Sequence, residues 1–231
     1  VSIKTAEQIR KYSARAERNN AVYNFQDIIA VGAAMKRVKN EAKAAASSPA
    51  NVLITGESGT GKELFAQAIH NASSRFDGPF VPISCGGFSR ETVETVLIGT
   101  EKNPGKFIQA DGGTLFLDGI SEMSQDMQSF LLRFLEDGIV TPIGSRRSVH
   151  ADVRVIAAAG SEVLQKVKDG SFRLDLYYRL NVLRIDLPPL RERQADMQEL
   201  SNYFVTLLSA GYGKNIFSVS AETVERFKRS S

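Results

Sequence analysis

The sequence predicts an α/β fold in which a parallel five-stranded sheet is flanked by helices. Three observations lead to it: short apolar runs, helical stretches that alternate with them, and a glycine-rich loop between the first run and a helix. Strands buried on both faces of a parallel sheet are near-continuous apolar runs, and helices connect them. The composition, 42% apolar and 24% charged over 231 residues, is that of an ordinary globular domain.

The elements follow in order along the chain. Residues 1–22 are polar, with apolar side chains at near-helical spacing, and predict a connector helix or linker. The core is expected over residues 23–190. Five apolar runs predict its strands, at residues 52–55, 80–83, 114–118, 153–157 and 182–185. Helices are predicted at residues 33–46, 63–71, 123–137 and 162–169, and a further helix starts within 220–227.

Composition and charge exclude several classes of protein. No apolar run approaches the roughly 18 residues of a membrane span, and no secretory signal opens the chain, so we expect a cytoplasmic protein without a membrane partner. A single cysteine, Cys85, excludes an internal disulfide, and with two histidines the chain is too poor in ligands for a structural zinc site. We expect Cys85 to be a buried small residue.

The net charge of +3 is unevenly placed, because residues 1–50 carry nine basic and four acidic side chains. Either a nucleic-acid-binding face or an exposed charged linker would account for this surplus, and the linker is favoured. No helix-turn-helix or zinc finger is readable. DNA binding is therefore expected only through a helix-turn-helix domain absent from this chain.

The strongest motif is Gly-Glu-Ser-Gly-Thr-Gly-Lys at residues 56–62. It has the spacing of a phosphate-binding P-loop and lies between a strand and a helix, as that motif requires. Glycines let backbone N–H groups curl around an anion, and the lysine reaches the terminal phosphates. A glycine-rich turn that caps a helix is the alternative. The candidate binding residues are Gly56, Glu57, Ser58, Gly59, Thr60, Gly61 and Lys62, with the two hydroxyls interpreted as packing or capping groups.

Asp118 ends the apolar run at residues 115–117. A second strand beside the P-loop strand would place this carboxylate near a magnesium ion. A strand-end turn residue or helix cap is the alternative, and the P-loop favours the metal site.

These motifs resemble the AAA+ central domain of bacterial enhancer-binding proteins, ATPases that activate transcription by sigma-54 RNA polymerase. The resemblance covers about residues 25–205, with motifs at 56–64, 112–118, 131–136, 172–182 and 187–193. It implies a P-loop NTPase fold of AAA+ type with ATP and Mg²⁺ as cofactors. It also implies that residues 191–231 are the start of a helical lid.

The resemblance implies further site residues. Glu63 and Leu64 complete the phosphate loop, and Ile28 and Ile29 belong to the segment that packs beside adenine. Arg173 and Arg179 match the arginine fingers, which reach the nucleotide of a neighbouring subunit. They imply a homo-oligomer, from a dimer to a hexameric ring. RNA polymerase is a candidate partner.

The chain also departs from the family at four places. Gly119 stands where the family has the glutamate that polarises the attacking water, and Glu122 is expected to lie around a turn and to be badly aimed. Ser84 replaces an asparagine and Ala159 a threonine. The Gly-Ala-Phe-Thr-Gly-Ala loop is missing from a shortened segment at residues 97–107.

The departures concern water activation, γ-phosphate sensing and force transmission. The leading hypothesis is an ATP-binding domain of a bacterial transcriptional regulator, and ATP binding promotes self-assembly of the domain. We expect hydrolysis of the bound ATP to be slow or absent, because losing an oriented base lowers the rate by a factor of about 10²–10⁴. One alternative is an active ATPase that remodels RNA polymerase holoenzyme, in which Glu122 or a residue of a neighbouring subunit replaces the missing groups. The other is a scaffold without nucleotide.

Overall fold

The computed structural model describes residues 20–229, except residues 88, 213, 215 and 217. Most of the connector predicted over residues 1–22 lies outside this described part. Within it, no helix has both the length and the apolar character that crossing a membrane requires.

The structure confirms the five-stranded parallel sheet and adds a short hairpin. The strands are β1 Val52–Thr55, β2 Phe80–Ser84, β3 Thr114–Asp118, β4 Ile139–Val140, β5 Val149–His150, β6 Arg154–Ala159 and β7 Leu183–Asp186. The parallel sheet has the order β2-β3-β6-β1-β7, and the antiparallel pair β4 and β5 forms the hairpin outside it. Because β6 lies between β3 and β1, the strand that ends in Asp118 is not the direct neighbour of the P-loop strand, which corrects the sequence-based expectation.

Five of the helices were predicted from the sequence. Four have both ends within two residues of those observed: α1 Ala33–Ala46, α2 Lys62–Asn71, α5 Gln125–Asp137 and α6 Val163–Lys168. For α9 Ala221–Arg229 only a start within residues 220–227 was predicted, and the helix begins there. Four others were not predicted: α3 Arg90–Leu97, α4 Lys106–Gln109, α7 Leu174–Leu180 and α8 Met197–Gly211. Three of these four have eight residues or fewer, so their sequences span too few turns for a helical period to show.

Side chains alternate between the two faces of the sheet and build a separate core on each. On one face the strand residues pack with α3, α5 and α7, and on the other with α1 and α2. Leu53, Leu117 and Ala157 belong to the first core, whereas Ile54, Phe116 and Ile156 belong to the second. The sheet is therefore covered on both sides, as its continuous apolar strands require.

One charged residue is built into this core. Arg154 is only 2% exposed, and its guanidinium donates to the carbonyl oxygens of Ala45 (2.8 Å), Ala46 (3.4 Å) and Ala50 (3.2 Å). These carbonyls lie at and just after the C-terminal end of α1, where a cation also complements the helix dipole. Arg154 thus joins α1 to the sheet.

Candidate functional site

The loop from Gly56 to Gly61 leaves β1 and enters α2 at the carboxyl edge of the sheet. Gly59 (φ +78°) and Gly61 (φ +101°) lie in the left-handed region, and a Cβ on either would meet nothing within 4 Å. Glycine is therefore required there by the backbone and not by crowding. Gly61 is also the N-cap of α2, so the loop presents the positive end of a helix to open space.

Lys62 folds back over this loop. Its Nζ donates to the carbonyl oxygens of Gly56 (2.8 Å) and Glu57 (2.9 Å). The Thr60 hydroxyl is buried and donates to the same Glu57 oxygen (2.8 Å), so it packs within the loop, whereas Ser58 is exposed. An ammonium held at the loop in this way can exchange its carbonyl partners for phosphate oxygens.

A cavity of about 710 Å³ opens beside the loop. Ile28, Ile29 and Leu64 line it together with the loop residues Glu57 to Gly61, so the structure brings these predicted residues together. Side chains of α8 line the opposite side: Leu200, Tyr203, Phe204 and Leu207. A mainly apolar cavity of this volume that ends on a polar loop has the form of a small-molecule site.

Glu63 is exposed and does not line the cavity. It accepts a hydrogen bond from Gln67 Nε2 (3.1 Å), and Gln67 Oε1 in turn accepts from the backbone N–H groups of Val22 (2.8 Å) and Tyr23 (3.2 Å). Glu63 thus helps to hold, through Gln67, the chain segment that leads to the apolar side of the cavity.

Asp118 lies at the carboxyl end of β3 with its side chain exposed, in register with Ser84 of β2. The described residues contain no group of three or more His, Cys, Asp or Glu side chains that could hold a metal ion. Mg²⁺, however, is usually bound through one or two carboxylates and the substrate phosphates. The exposed carboxylate of Asp118 therefore fits a magnesium ion that arrives with a nucleotide.

The departures from the family pattern also have defined positions. Gly119 has φ +71°, and a 3-10 turn carries the chain from it to Glu122. Glu122 lies around this turn, as expected, and its Oε1 lies 3.9 Å from where a Cβ at residue 119 would be. Ala159 is fully buried, and its carbonyl oxygen accepts from Gly56 N (3.2 Å).

Arg173 and Arg179 are exposed and lie outside the lining of the cavity of their own chain. Arg173 forms an ion pair with Asp175 (2.8 Å), whose hydrogen bond raises the pKa of the guanidinium. Arg179 forms an ion pair with Glu136 (3.1 Å). The two arginines thus share one exposed region, which includes the start and end of α7.

Sequence reasoning missed contacts between the loop and the chain before α8. Arg191 makes a two-pronged ion pair with Glu57 (2.6 and 2.8 Å), and its hydrogen bond holds the pKa of Glu57 below the ordinary value. Arg193 is half-buried and donates to Thr60 O (3.3 Å), and burial lowers its pKa. Both arginines were visible in the motif at residues 187–193, but only the folded chain brings them to the loop.

Asp196 is the second missed contact of this region. It is fully buried, and its Oδ1 accepts from the backbone N–H groups of Val31 (2.6 Å) and Gly32 (2.7 Å), just before α1. The residue therefore caps α1 and fixes the Ile28–Ile29 side of the cavity to the chain that begins α8.

The shortened segment at residues 97–107 forms a closed turn between α3 and α4. Thr100 N donates to Asn103 O (2.9 Å), and Gly99 and Pro104 form an antiparallel bridge. A Cβ at Gly105 would overlap the backbone of Leu97 and Ile98. The segment is therefore tightly closed on itself.

A covered parallel sheet with a glycine-rich phosphate loop after β1 and an acidic strand end at β3 defines a P-loop NTPase domain of AAA+ type. A family model described as "Sigma-54 interaction domain" matches residues 28–186. The chain belongs to this family.

Proteins similar to this chain include bacterial regulators. It is 46% identical over 218 residues to a signal-transduction and transcriptional-control protein of Clostridium beijerinckii, covering 90% of this chain and 34% of the relative. It is 48% identical over 183 residues to the HTH-type transcriptional regulatory protein TyrR of Citrobacter braakii, covering 78% and 36%. The chain thus spans about a third of the length of these relatives.

Among solved structures, NtrX from Brucella abortus in complex with ATP superposes with a TM-score of 0.77 at 31% identity. The superposition covers 90% of this chain and 45% of the NtrX chain.

Proposed function

We propose that this chain is the ATP-binding AAA+ domain of a bacterial transcriptional regulator, in which bound ATP promotes self-assembly and is hydrolysed slowly. The observation that carries the proposal is the phosphate loop, with Lys62 held at it, opening onto the apolar cavity beside Ile28 and Ile29. The relationship to NtrX, whose structure contains ATP, supports the same ligand here.

In this proposal the nucleotide lies with its base in the apolar part of the cavity and its phosphates on the loop. Backbone N–H groups of residues 56–61 and the N-terminus of α2 would bind phosphate oxygens, and Lys62 would turn from the Gly56 and Glu57 carbonyls to the terminal phosphates. Asp118 would hold Mg²⁺, whose charge offsets that of the phosphates when it is bound.

Assembly would use Arg173 and Arg179. Their partners, Asp175 and Glu136, form exposed ion pairs, which solvent screening keeps weak. A triphosphate on a neighbouring subunit offers these arginines more charge and several oxygens. Exposed Leu174 (55%) and Tyr178 (65%) lie on the same helix and would be covered in a homo-oligomer.

An active ATPase that remodels RNA polymerase is the second candidate, and membership of the Sigma-54 interaction domain family favours it. The closed turn at residues 97–107 argues against a long contact loop at that position. DNA binding would belong to a helix-turn-helix domain elsewhere in the whole protein, by analogy with the HTH-type relative TyrR.

The test is an equilibrium titration with ATP and Mg²⁺ of the wild-type chain and of Lys62→Ala. Lys102→Ala, which removes an exposed lysine outside the cavity, is the matched control. We expect saturable binding in the wild type and the control and its loss in Lys62→Ala. Equal binding by all three chains, or none in the wild type at millimolar ATP, would contradict the proposal.

Assembly is measured by sedimentation with and without ATP. The wild type should shift to a larger species with ATP. Arg173→Ala should bind ATP but shift less, because only the contact to the neighbouring subunit is removed.

A further inference from the structure

We propose that Glu122 supplies the water-activating carboxylate of this site, in place of a side chain at position 119. The inference rests on the ATP-binding function proposed above and extends it to the slow hydrolysis of the bound nucleotide. Gly119 follows Asp118 directly and has no group that could orient or deprotonate a water molecule.

The backbone turn brings Glu122 back to the empty position. Glu122 N donates to Gly119 O (2.9 Å), and the Cδ and Oε1 atoms of Glu122 each lie 3.9 Å from where a Cβ at residue 119 would be. A glutamate at position 119 would carry its carboxyl carbon two C–C bonds, about 2.5 Å, from that same point. The carboxylate of Glu122 thus lies 3.9 Å from the point from which such a side chain would extend.

A second glycine makes room for this carboxylate. A Cβ at Gly86, just after β2, would overlap Glu122 Oε2 and lie 3.4 Å from its Cδ. Burial first, and then the nearby charges of Asp118 and Glu122, raise the pKa of the Cys85 thiol, as expected where both carboxylates lie close to the end of β2. Glu122 therefore lies between Gly86 and Gly119, at the same sheet edge as Asp118.

The turn that carries Glu122 is anchored on both sides. Ile120 is fully buried and Met123 is 5% exposed, and Lys166 Nζ donates to Ser121 O (2.7 Å). Glu122 itself is exposed and open to water. A carboxylate on an anchored turn keeps its position as solvent reaches it, which a general base requires.

The proposed step is a hydrolysis in which a water oxygen attacks the γ-phosphorus of ATP. The P–O bond to the β-phosphate breaks, and its electron pair leaves with ADP. The Glu122 carboxylate accepts the proton that the attacking water loses and then releases it to solvent. Water is the only co-reactant, so atoms and charge balance.

Glu162 is the competing carboxylate, because it lies close enough to Lys62 for their charges to interact. A hydrogen bond from its own backbone amide is the largest cause that lowers the pKa of Glu162, and the Ser121 side chain, Lys166 and Lys62 lower it further. A carboxylate held in its charged form by several partners is a poor proton acceptor. Glu122 is favoured by its position beside Gly119, the residue that follows Asp118.

The test compares wild type, Glu122→Gln and Lys62→Ala, with Glu101→Gln as the control that removes an exposed carboxylate outside the site. Three quantities are measured: the Kd of ATP, the rate of phosphate release, and the lifetime of the ATP-assembled species by sedimentation. Glu122→Gln should release phosphate at least about 10²-fold more slowly than wild type, bind ATP with a Kd within about threefold of wild type, and keep its assembly longer.

Two outcomes would overturn the assignment of Glu122 while leaving ATP binding intact. In the first, Glu122→Gln releases phosphate as fast as Glu101→Gln. In the second, wild type binds ATP but releases no more phosphate than Lys62→Ala. Failure of wild type to bind ATP would instead overturn the proposed function, and the role of Glu122 with it.

Discussion

The left-handed backbone at Gly119 makes a sharp prediction about stability. At φ +71° and ψ 46° a side chain costs about 1–2 kcal/mol, because its Cβ approaches the carbonyl oxygen. The cost at Gly119 is conformational and not steric, since the nearest atoms to an added Cβ are those of Glu122 at 3.9 Å. Gly119→Ala should therefore lower the free energy of unfolding by about 1–2 kcal/mol, and Tm by roughly 2–8 °C in a chain of this size.

Gly112 provides a matched control at the opposite edge of the sheet, just before β3. It has φ +72°, and an added Cβ would meet nothing within 4 Å, so Gly112→Ala should cost about the same as Gly119→Ala. Gly119→Asn should cost less, because asparagine tolerates this backbone region better.

The assay for all three variants is urea unfolding followed by circular dichroism, which suits a chain without tryptophan. The reasoning would be refuted if Gly119→Ala were neutral or more stable than wild type. A gain of about 0.4–1 kcal/mol is what alanine brings where its backbone is compatible.

Three further predictions concern buried groups. Asp196→Ala should destabilise the chain by about 3 kcal/mol, because it removes the side-chain acceptor of Val31 N and Gly32 N. Asp196→Asn keeps an acceptor oxygen and should cost less. Urea unfolding measures both, and equal losses would contradict the cap. Arg154→Met should lower the free energy of unfolding by about 2–4 kcal/mol in the same assay, because three carbonyl oxygens lose their donor. A neutral result would contradict this and would show that water replaces the guanidinium. Cys85, 1% exposed and with its thiol pKa raised by burial, should resist iodoacetamide at pH 8 until the chain unfolds. The native state binds the Cys85 thiol proton more tightly than the unfolded chain does, so the free energy of unfolding should begin to fall as pH rises through 9.0, the ordinary thiol pKa. Alkylation of the folded chain at the rate of the unfolded chain would contradict both expectations.

Local patterns in the sequence determined much of the fold. Each strand of the parallel sheet is a short apolar run, and α1 was predicted at its observed ends because its apolar residues follow a helical period and Ser47, Ser48 and Pro49 stop it. The phosphate loop was readable because its glycines, its lysine and the flanking strand and helix are contiguous. The strand order was not readable: β6 enters between β1 and β3, and that choice depends on packing between distant segments.

The sequence by itself determined that this chain has a phosphate loop, an acidic strand end and a glycine after it, because each feature is a run of neighbouring residues. Only the tertiary structure decided which distant groups meet that loop. Arg191 reaches Glu57 from 134 positions away, and Asp196 caps Gly32 across 164. The tertiary structure also decided the position of the Glu122 side chain, because Gly86 and Gly119 come together only when β2 and β3 pair. Such contacts depend on how the whole chain packs, and no local pattern encodes them.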